Sequence, residues 1–191
     1  SIEFGKKFNV PIHIRNSGVF SDEMGTIVGP ISESAERAVS GVALTRKEAR
    51  ITILGVPDQP GTSLTIFRQL SDVNLVVDMI VQNISLNEVT HLSFTVPRAQ
   101  IDHALHIARE AADQVQARGL RAETEIAKLS VLGIGMRSHT DVASRMFAAL
   151  AKNDINVELI NTSEVRVSVL VQRNNADRAL QALRDTFQIP K

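Results

Sequence analysis

The chain has 191 residues, 43% of them apolar, and its 21 Lys and Arg balance 21 Asp and Glu for a formal net charge of zero. That balance supplies no field to recruit nucleic acid or an anionic membrane surface, and no apolar run approaches a bilayer span, so neither partner is expected. The absence of cysteine excludes disulfides and thiolate metal sites; with no secretory signal read, the cytoplasm is the expected compartment. A chain that starts at Ser1 reads as a piece of something longer.

Residues 1–30 differ in character from the rest of the chain. A short helix ending at Lys7 precedes Val10-Pro11-Ile12-His13-Ile14, whose alternation predicts a strand, and Ser21-Asp22-Glu23-Met24-Gly25 reads as a turn. Residues 31–38 are polar and read as a linker.

A first module is expected over residues 39–118. Val39 to Thr45 and Ala49 to Val56 are β-branched segments separated by Arg46-Lys47-Glu48, the signature of a tight hairpin. Pro57-Asp58-Gln59-Pro60-Gly61 ends the second of them, because proline cannot donate to a ladder and glycine admits turn dihedrals. A helix comes next, with Leu64, Phe67 and Leu70 at helical spacing and predicted to cover a sheet face. Leu75 to Ile84 and Glu88 to Val96 read as an antiparallel pair around Ser85-Leu86-Asn87. Ile101, Leu105, Ala108, Ala112 and Val115 then mark a helix that stops at Gly119.

The second module, residues 119–191, repeats the plan. Strands are predicted at Leu120 to Ile126, Lys128 to Gly135, Asn156 to Asn161 and Glu164 to Gln172, with helices over Asp141 to Asn153 and Ala176 to Phe187. Ala176, Ala179, Leu180, Leu183 and Phe187 form the last buried stripe.

The two modules are copies. Ser93, Val96, Arg98, Asp102, Ala104 and Leu105 recur as Ser168, Val171, Arg173, Asp177, Ala179 and Leu180, each 75 positions on. Ile53-Leu54-Gly55-Val56 is echoed by Val131-Leu132-Gly133-Ile134, and Val76-Val77-Asp78 by Asn156-Val157-Glu158. Duplication of a whole supersecondary unit explains offsets that differ only by loop length. The economical fold is α+β: two tandem ferredoxin-like βαββαβ sandwiches, antiparallel sheets with helices on one face. The leading strands at 39–45 and 120–126 could join their own module's sheet or the neighbour's, and the sequence does not choose.

Four motifs stand in order on this repeat: Val56-Pro57-Asp58-Gln59-Pro60-Gly61, Met79-Ile80-Val81-Gln82-Asn83-Ile84-Ser85, Gly133-Ile134-Gly135-Met136-Arg137-Ser138-His139, and Glu158-Leu159-Ile160-Asn161-Thr162-Ser163-Glu164. Together they resemble the tandem ACT-domain regulatory region of bacterial aspartate kinase, over nearly the whole chain. Asn9 to Arg15 followed by Phe20 to Thr26 resembles the C-terminal end of that enzyme's amino-acid-kinase domain. The resemblance implies an allosteric region that binds lysine, threonine or both, a homodimer through the ACT modules, and a kinase catalytic domain or subunit as partner. ATP and magnesium are implied for the full enzyme and no cofactor for this region, which lacks a glycine-rich phosphate loop and a lysine and carboxylate set for phosphoryl transfer.

The candidate effector residues rest on chemistry and resemblance together. Asp58, Gly61, Thr62 and Ser63 lie where a strand hands over to a helix, whose free N–H groups suit a carboxylate. Asp58 and the side-chain oxygens of Gln82 or Asn83 are acceptors for an ammonium, with Ser85 beside them; Thr62 and Ser63 double as helix caps. Taken alone, Asp58 is a turn residue and Gln82-Asn83 an edge strand. In the second module Ser138, His139, Thr140, Asp141 and Val142 occupy the equivalent corner, and Glu158, Thr162, Ser163 and Glu164 the facing strand. Aspartate kinases usually carry glycine where this chain has Asp141; a carboxylate there competes with an effector's own carboxylate for the helix N–H groups, is an ordinary N-cap, or favours a lysine side chain, and the sequence does not choose. His139 reads as a loop histidine and His103 with His106 as solvated surface, so no catalytic or metal residue is assigned. Phe94 points to the core, which argues against an RNA-binding sheet.

Overall fold

A computed structural model describes residues 5, 7–8, 10–15, 18, 25–29, 39–84, 89–133 and 141–189. Outside them lie the expected linker at 31–38, the turns at 21–24 and 85–87, and the loop at 134–140. The chain divides into two units, Ser1–Arg37 and Ala38–Lys191. In the first, β1 (Ile12–Ile14) and β2 (Thr26–Val28) pair antiparallel, with His13 opposite Ile27.

The second unit holds two four-stranded sheets. In chain order its elements are β3 (Val39–Thr45), β4 (Glu48–Pro57), α1 (Thr62–Asp72), β5 (Ile80–Ile84), β6 (Val89–Pro97), α2 (Ile101–Gln114), β7 (Gly119–Glu123), β8 (Ile126–Gly133), α3 (Asp141–Lys152), β9 (Leu159–Thr162), β10 (Arg166–Gln172) and α4 (Ala176–Phe187). One sheet has the order β5-β6-β4-β7 and the other β3-β8-β10-β9. These are the two ferredoxin-like modules, with all pairings antiparallel.

The leading strands are exchanged. β3 pairs with β8, placing Val42 opposite Val131, and β7 pairs with β4, placing Ile51 opposite Ala122. The predicted hairpin through Arg46-Lys47-Glu48 is therefore absent: β3 and β4 are sequence neighbours in different sheets, and so are β7 and β8. Each fourth strand crosses the expected boundary between residues 118 and 119. The first sheet is continuous in sequence from β4 to β7, whereas the second closes with a strand that precedes it in the chain.

Alternation along the central strands explains the layers. Ala49, Ile51 and Ile53 of β4, with Leu92, Phe94 and Val96 of β6, are buried beneath α1 and α2. Ala127, Leu129 and Val131 of β8, with Val167, Val169 and Val171 of β10, do the same beneath α3 and α4. Helix α4 buries Ala176, Ala179, Leu183 and Phe187 as the 3.6 period requires, with Leu180 at the stripe's margin. In α1 the buried residues are Ile66 and Leu70, and Phe67 meets Phe94 edge to face at 5.8 Å. Leu64, expected in that stripe, is 68% exposed, because at 3.6 residues per turn it stands nearly opposite the buried Ile66 on the helix. The predicted long strand Leu75 to Ile84 begins its ladder at Ile80.

Gly55 fixes the end of β4. Its φ of +64° is left-handed, the β4–β6 register slips between Ile53 and Val56, and its N–H donates to His91 Nδ1 at 3.1 Å. A Cβ there would fall 2.5 Å from Arg118 Cγ and 2.8 Å from Arg118 Cβ. Gly55→Ala is expected to lower the unfolding free energy by about 2 kcal/mol from left-handed strain plus that overlap, as a shift of the urea midpoint at unchanged slope.

Candidate functional site

The corner between β4 and α1 is closed by its own backbone. Gln59 N–H donates to the Pro57 carbonyl at 3.0 Å, Thr62 N–H to Gln59 at 3.3 Å, and Thr65 N–H to Gly61 at 3.0 Å. Gly61 is the N-cap residue with φ +93°, a conformation that L side chains rarely adopt, and nothing lies within 4 Å of where its Cβ would stand. No side chain caps α1 and no acidic residue sits in its first turn. Thr62 and Ser63, expected as caps, are the first helical residues instead. The Ser63 hydroxyl turns outward and donates to Gln82 Oε1 on β5 at 3.2 Å. Two of the predicted residues, 19 positions apart, are thus joined across the mouth of the corner.

Asp58 and Gly61 are exposed on the same turn, and Gln82 and Asn83 are exposed on β5, an edge strand of its sheet. Asn83 stands opposite His91 in the ladder. Ser85 lies outside the described residues.

The second corner is described only from its helix onward, since Ser138, His139 and Thr140 lie outside the described residues. Asp141 begins α3, exposed, with Arg145 3.6 Å away one turn on. The Val142 side chain is buried in the core. Thr162 ends β9 with an exposed side chain. Ser163 belongs to the β9–β10 turn: its N–H donates to the Arg166 carbonyl at 2.8 Å, and its Oγ accepts from Val165 N–H at 3.4 Å. Glu164 is exposed on that turn.

Glu158 is engaged elsewhere. Its carboxylate meets Arg50 of the other module at 3.0 Å and Gln172 beside it, and Arg50 also binds Glu123. These residues line a cavity of about 410 Å3, open to solvent, with Arg121, Glu125 and Ile126 completing much of its wall. At the equivalent place in the other module Asp78 binds Lys128 and, at 3.3 Å, Arg166; Lys128 also reaches Glu48 at 2.8 Å.

Burial opposes the Asp78 carboxylate, but the hydrogen bond and charge of Lys128, then Arg166, outweigh it and hold its carboxyl below the ordinary range. Burial likewise opposes the Lys128 ammonium, and the Asp78 and Glu48 carboxylates outweigh it and raise its pKa. Sequence reasoning did not single out Arg50 and Lys128. Their signal was a cation in the middle of an apolar strand, Ala49-Arg50-Ile51 and Ala127-Lys128-Leu129, at one repeat offset.

Among the described residues no group of His, Asp or Glu is arranged to hold a metal ion, and no helix is long and apolar enough to cross a membrane.

Comparison with known proteins agrees with this architecture. Residues 129–187 match the family model described as ACT domain. The chain is 42% identical over 191 residues to an aspartate kinase of Pseudomonas fluorescens, covering 99% of this chain and 46% of that protein. An aspartokinase of Pseudomonas aeruginosa is 43% identical over 192 residues, again with 99% and 46% coverage. The chain thus spans about half the length of the curated relatives it matches. Among solved structures, the ligand-free regulatory subunit of aspartate kinase from Thermus thermophilus is 35% identical with a TM-score of 0.75, covering 79% of this chain and 99% of that one. A structure of aspartokinase alpha and beta subunits gives 39% identity and a TM-score of 0.74, with coverage of 80% and 100%. With identity above a third across the whole of such a subunit, and TM-scores of 0.74 and 0.75, this chain belongs to the family of aspartokinase regulatory regions built from tandem ACT domains.

Proposed function

We propose that this chain senses an amino-acid end product for an aspartokinase, binding threonine, lysine or both at the β4–α1 corner of its first module. The observation that carries this reading is the Ser63–Gln82 hydrogen bond, which brings an uncapped helix start and a polar edge strand to one place. The helix N–H groups suit the effector's carboxylate, and Asp58 with Gln82 Oε1 suits its ammonium. Asn83 and Ser85 border the same place. In the second module Ser138, His139, Thr140, Asp141 and Val142, with Thr162, Ser163 and Glu164 opposite, are the weaker counterpart, because the Asp141 carboxylate in the first turn of α3 competes with and repels an incoming anion. Glu158, paired with Arg50, is left out of it.

The chain forms a homodimer through its ACT modules and acts on a kinase catalytic domain or subunit, in the cytoplasm and without nucleic acid or membrane. ATP and magnesium belong to that catalytic part, which phosphorylates aspartate on the way to lysine, threonine and methionine. An effector inhibits by favouring the packing in which the catalytic part is inactive, and its differential affinity for the two packings limits the inhibition.

Isothermal titration of the full chain with threonine and with lysine is expected to give saturable heat for at least one, together with a concentration-dependent rise in Tm. Silence in both assays removes the reading and leaves a dimerisation module without an effector.

A further inference from the structure

The two modules are tied by a closed ring of contacts related by the repeat. Asp78 N–H donates to the Thr95 carbonyl at 3.0 Å; Thr95 stands opposite Arg50 in the β4–β6 ladder; and the Arg50 guanidinium binds Glu158. Glu158 N–H donates to the Leu170 carbonyl at 2.9 Å; Leu170 stands opposite Lys128 in the β8–β10 ladder; and the Lys128 ammonium returns to Asp78. Each half of the ring is an acid, a backbone hydrogen bond, a ladder pair and a cation. Each cation reaches the acid of the other module. The side chains of Met79, Ile126, Leu159 and Leu170 form the buried apolar cluster of this junction, with Val81 packed against it.

Both acids sit four residues before a polar residue on an edge strand, Asp78 before Gln82 and Glu158 before Thr162. At about 3.3 Å per residue this is roughly 13 Å of extended chain. The strands that face the two corners therefore hang from acids anchored in the opposite sheet.

We propose that Asp78 and Glu158 are positioning residues that couple the two corners, each holding the edge strand of its own module in a place set by the other module. The inference rests on the effector reading for its biological use, and on the ring alone for its mechanics. A ligand that shifts β5 pulls Asp78 against Lys128 and Arg166, on β8 and β10, and so moves the strand that carries β9. The converse path runs from β9 through Glu158 and Arg50 to β4 and β6. Coupling by this route needs no contact between the ligands, and it is reciprocal.

Amide hydrogen exchange on the full chain tests the mechanics without any effector. In Asp78→Asn, exchange is expected to rise at least tenfold over residues 159–172 of the second module as well as over 80–84, while the helices at 101–114 and 176–187 keep their wild-type rates. Glu158→Gln is expected to give the mirror result, with faster exchange over 80–97. A change confined to the substituted module overturns the proposal, and so does a uniform rise across all elements, which would mark simple loss of stability. Should Asp78→Asn fail to fold, Asp78→Glu, which keeps the charge and moves it by one methylene, serves for the same comparison. If threonine binds, its protection is expected to extend to 159–172 in the wild type and to stop at the first module in Asp78→Asn. Silence of the wild type toward threonine and lysine would remove the effector reading while leaving the ligand-free exchange result to decide the coupling.

Discussion

Lys128→Ala is expected to lower the unfolding free energy by about 3 kcal/mol, toward the low end of what breaking a buried ion pair costs. The ammonium is nearly out of water and answers two carboxylates, Glu48 and Asp78, of which Glu48 is as buried as Lys128 itself and Asp78 is about a third exposed. Removing it strands the Glu48 charge, while Asp78 keeps Arg166 and some water, which is why the loss falls short of a fully buried pair. For a chain of this length that corresponds to a Tm lower by roughly 8 °C. Lys128→Met is expected to recover little of it, because the Glu48 charge remains stranded; restoring stability needs Glu48→Gln as well, while Asp78 stays paired with Arg166.

The pH dependence of the same difference gives the sign. The Asp78 pKa is depressed below its ordinary 3.8, so its contribution is complete above that value and is lost as pH falls through the depressed one. The Lys128 pKa is raised above its ordinary 10.5, so its contribution is complete below that value and is lost as pH rises through the raised one. Between these limits the gap in stability between wild type and Lys128→Ala is expected to be flat, and to shrink at both extremes. Urea unfolding of both proteins across the acid range checks the first limb.

What was legible in the sequence was what local periodicity encodes. The helix over Ala176–Phe187 declared its face because four apolar residues recur at three or four, and the central strands declared theirs by alternation. The partner of a leading strand was not legible. Val39–Thr45 and Gly119–Glu123 fit either sheet, since both modules offer an open edge beside β4 or β8, and a connection as short as Arg46-Lys47 resembles a hairpin turn whether or not the chain folds back. The sequence around Asp58 and Gln82 announced a polar corner, and the Ser63–Gln82 contact is consistent with it. The partner of Glu158 was hidden for a physical reason. A carboxylate beside an edge strand looks available for a ligand until its cation is known, and that cation, Arg50, lies 108 positions away on the other module.

Substitutions at the two corners are expected to move effector affinity in opposite directions. Asp58→Ala removes the one carboxylate of the first corner's turn, and loss of a charge-assisted contact to an ammonium is worth about 1.5 kcal/mol at an exposed site, or roughly tenfold in Kd. Asp141→Gly removes a carboxylate from the first turn of α3, where α1 has none, and frees Arg145 of the acid that now stands 3.6 Å from it. An anion arriving at that helix start then meets no competing carboxylate and a guanidinium released from Asp141, so affinity at the second corner is expected to rise severalfold. Opposite signs are the discriminating feature, because a general loosening of the fold would weaken binding in both variants. Calorimetric titration of the two variants with threonine and lysine, beside the wild type, measures both shifts; a weakening in Asp141→Gly at an unchanged urea midpoint would show that the Asp141 carboxylate supports the second corner instead of blocking it.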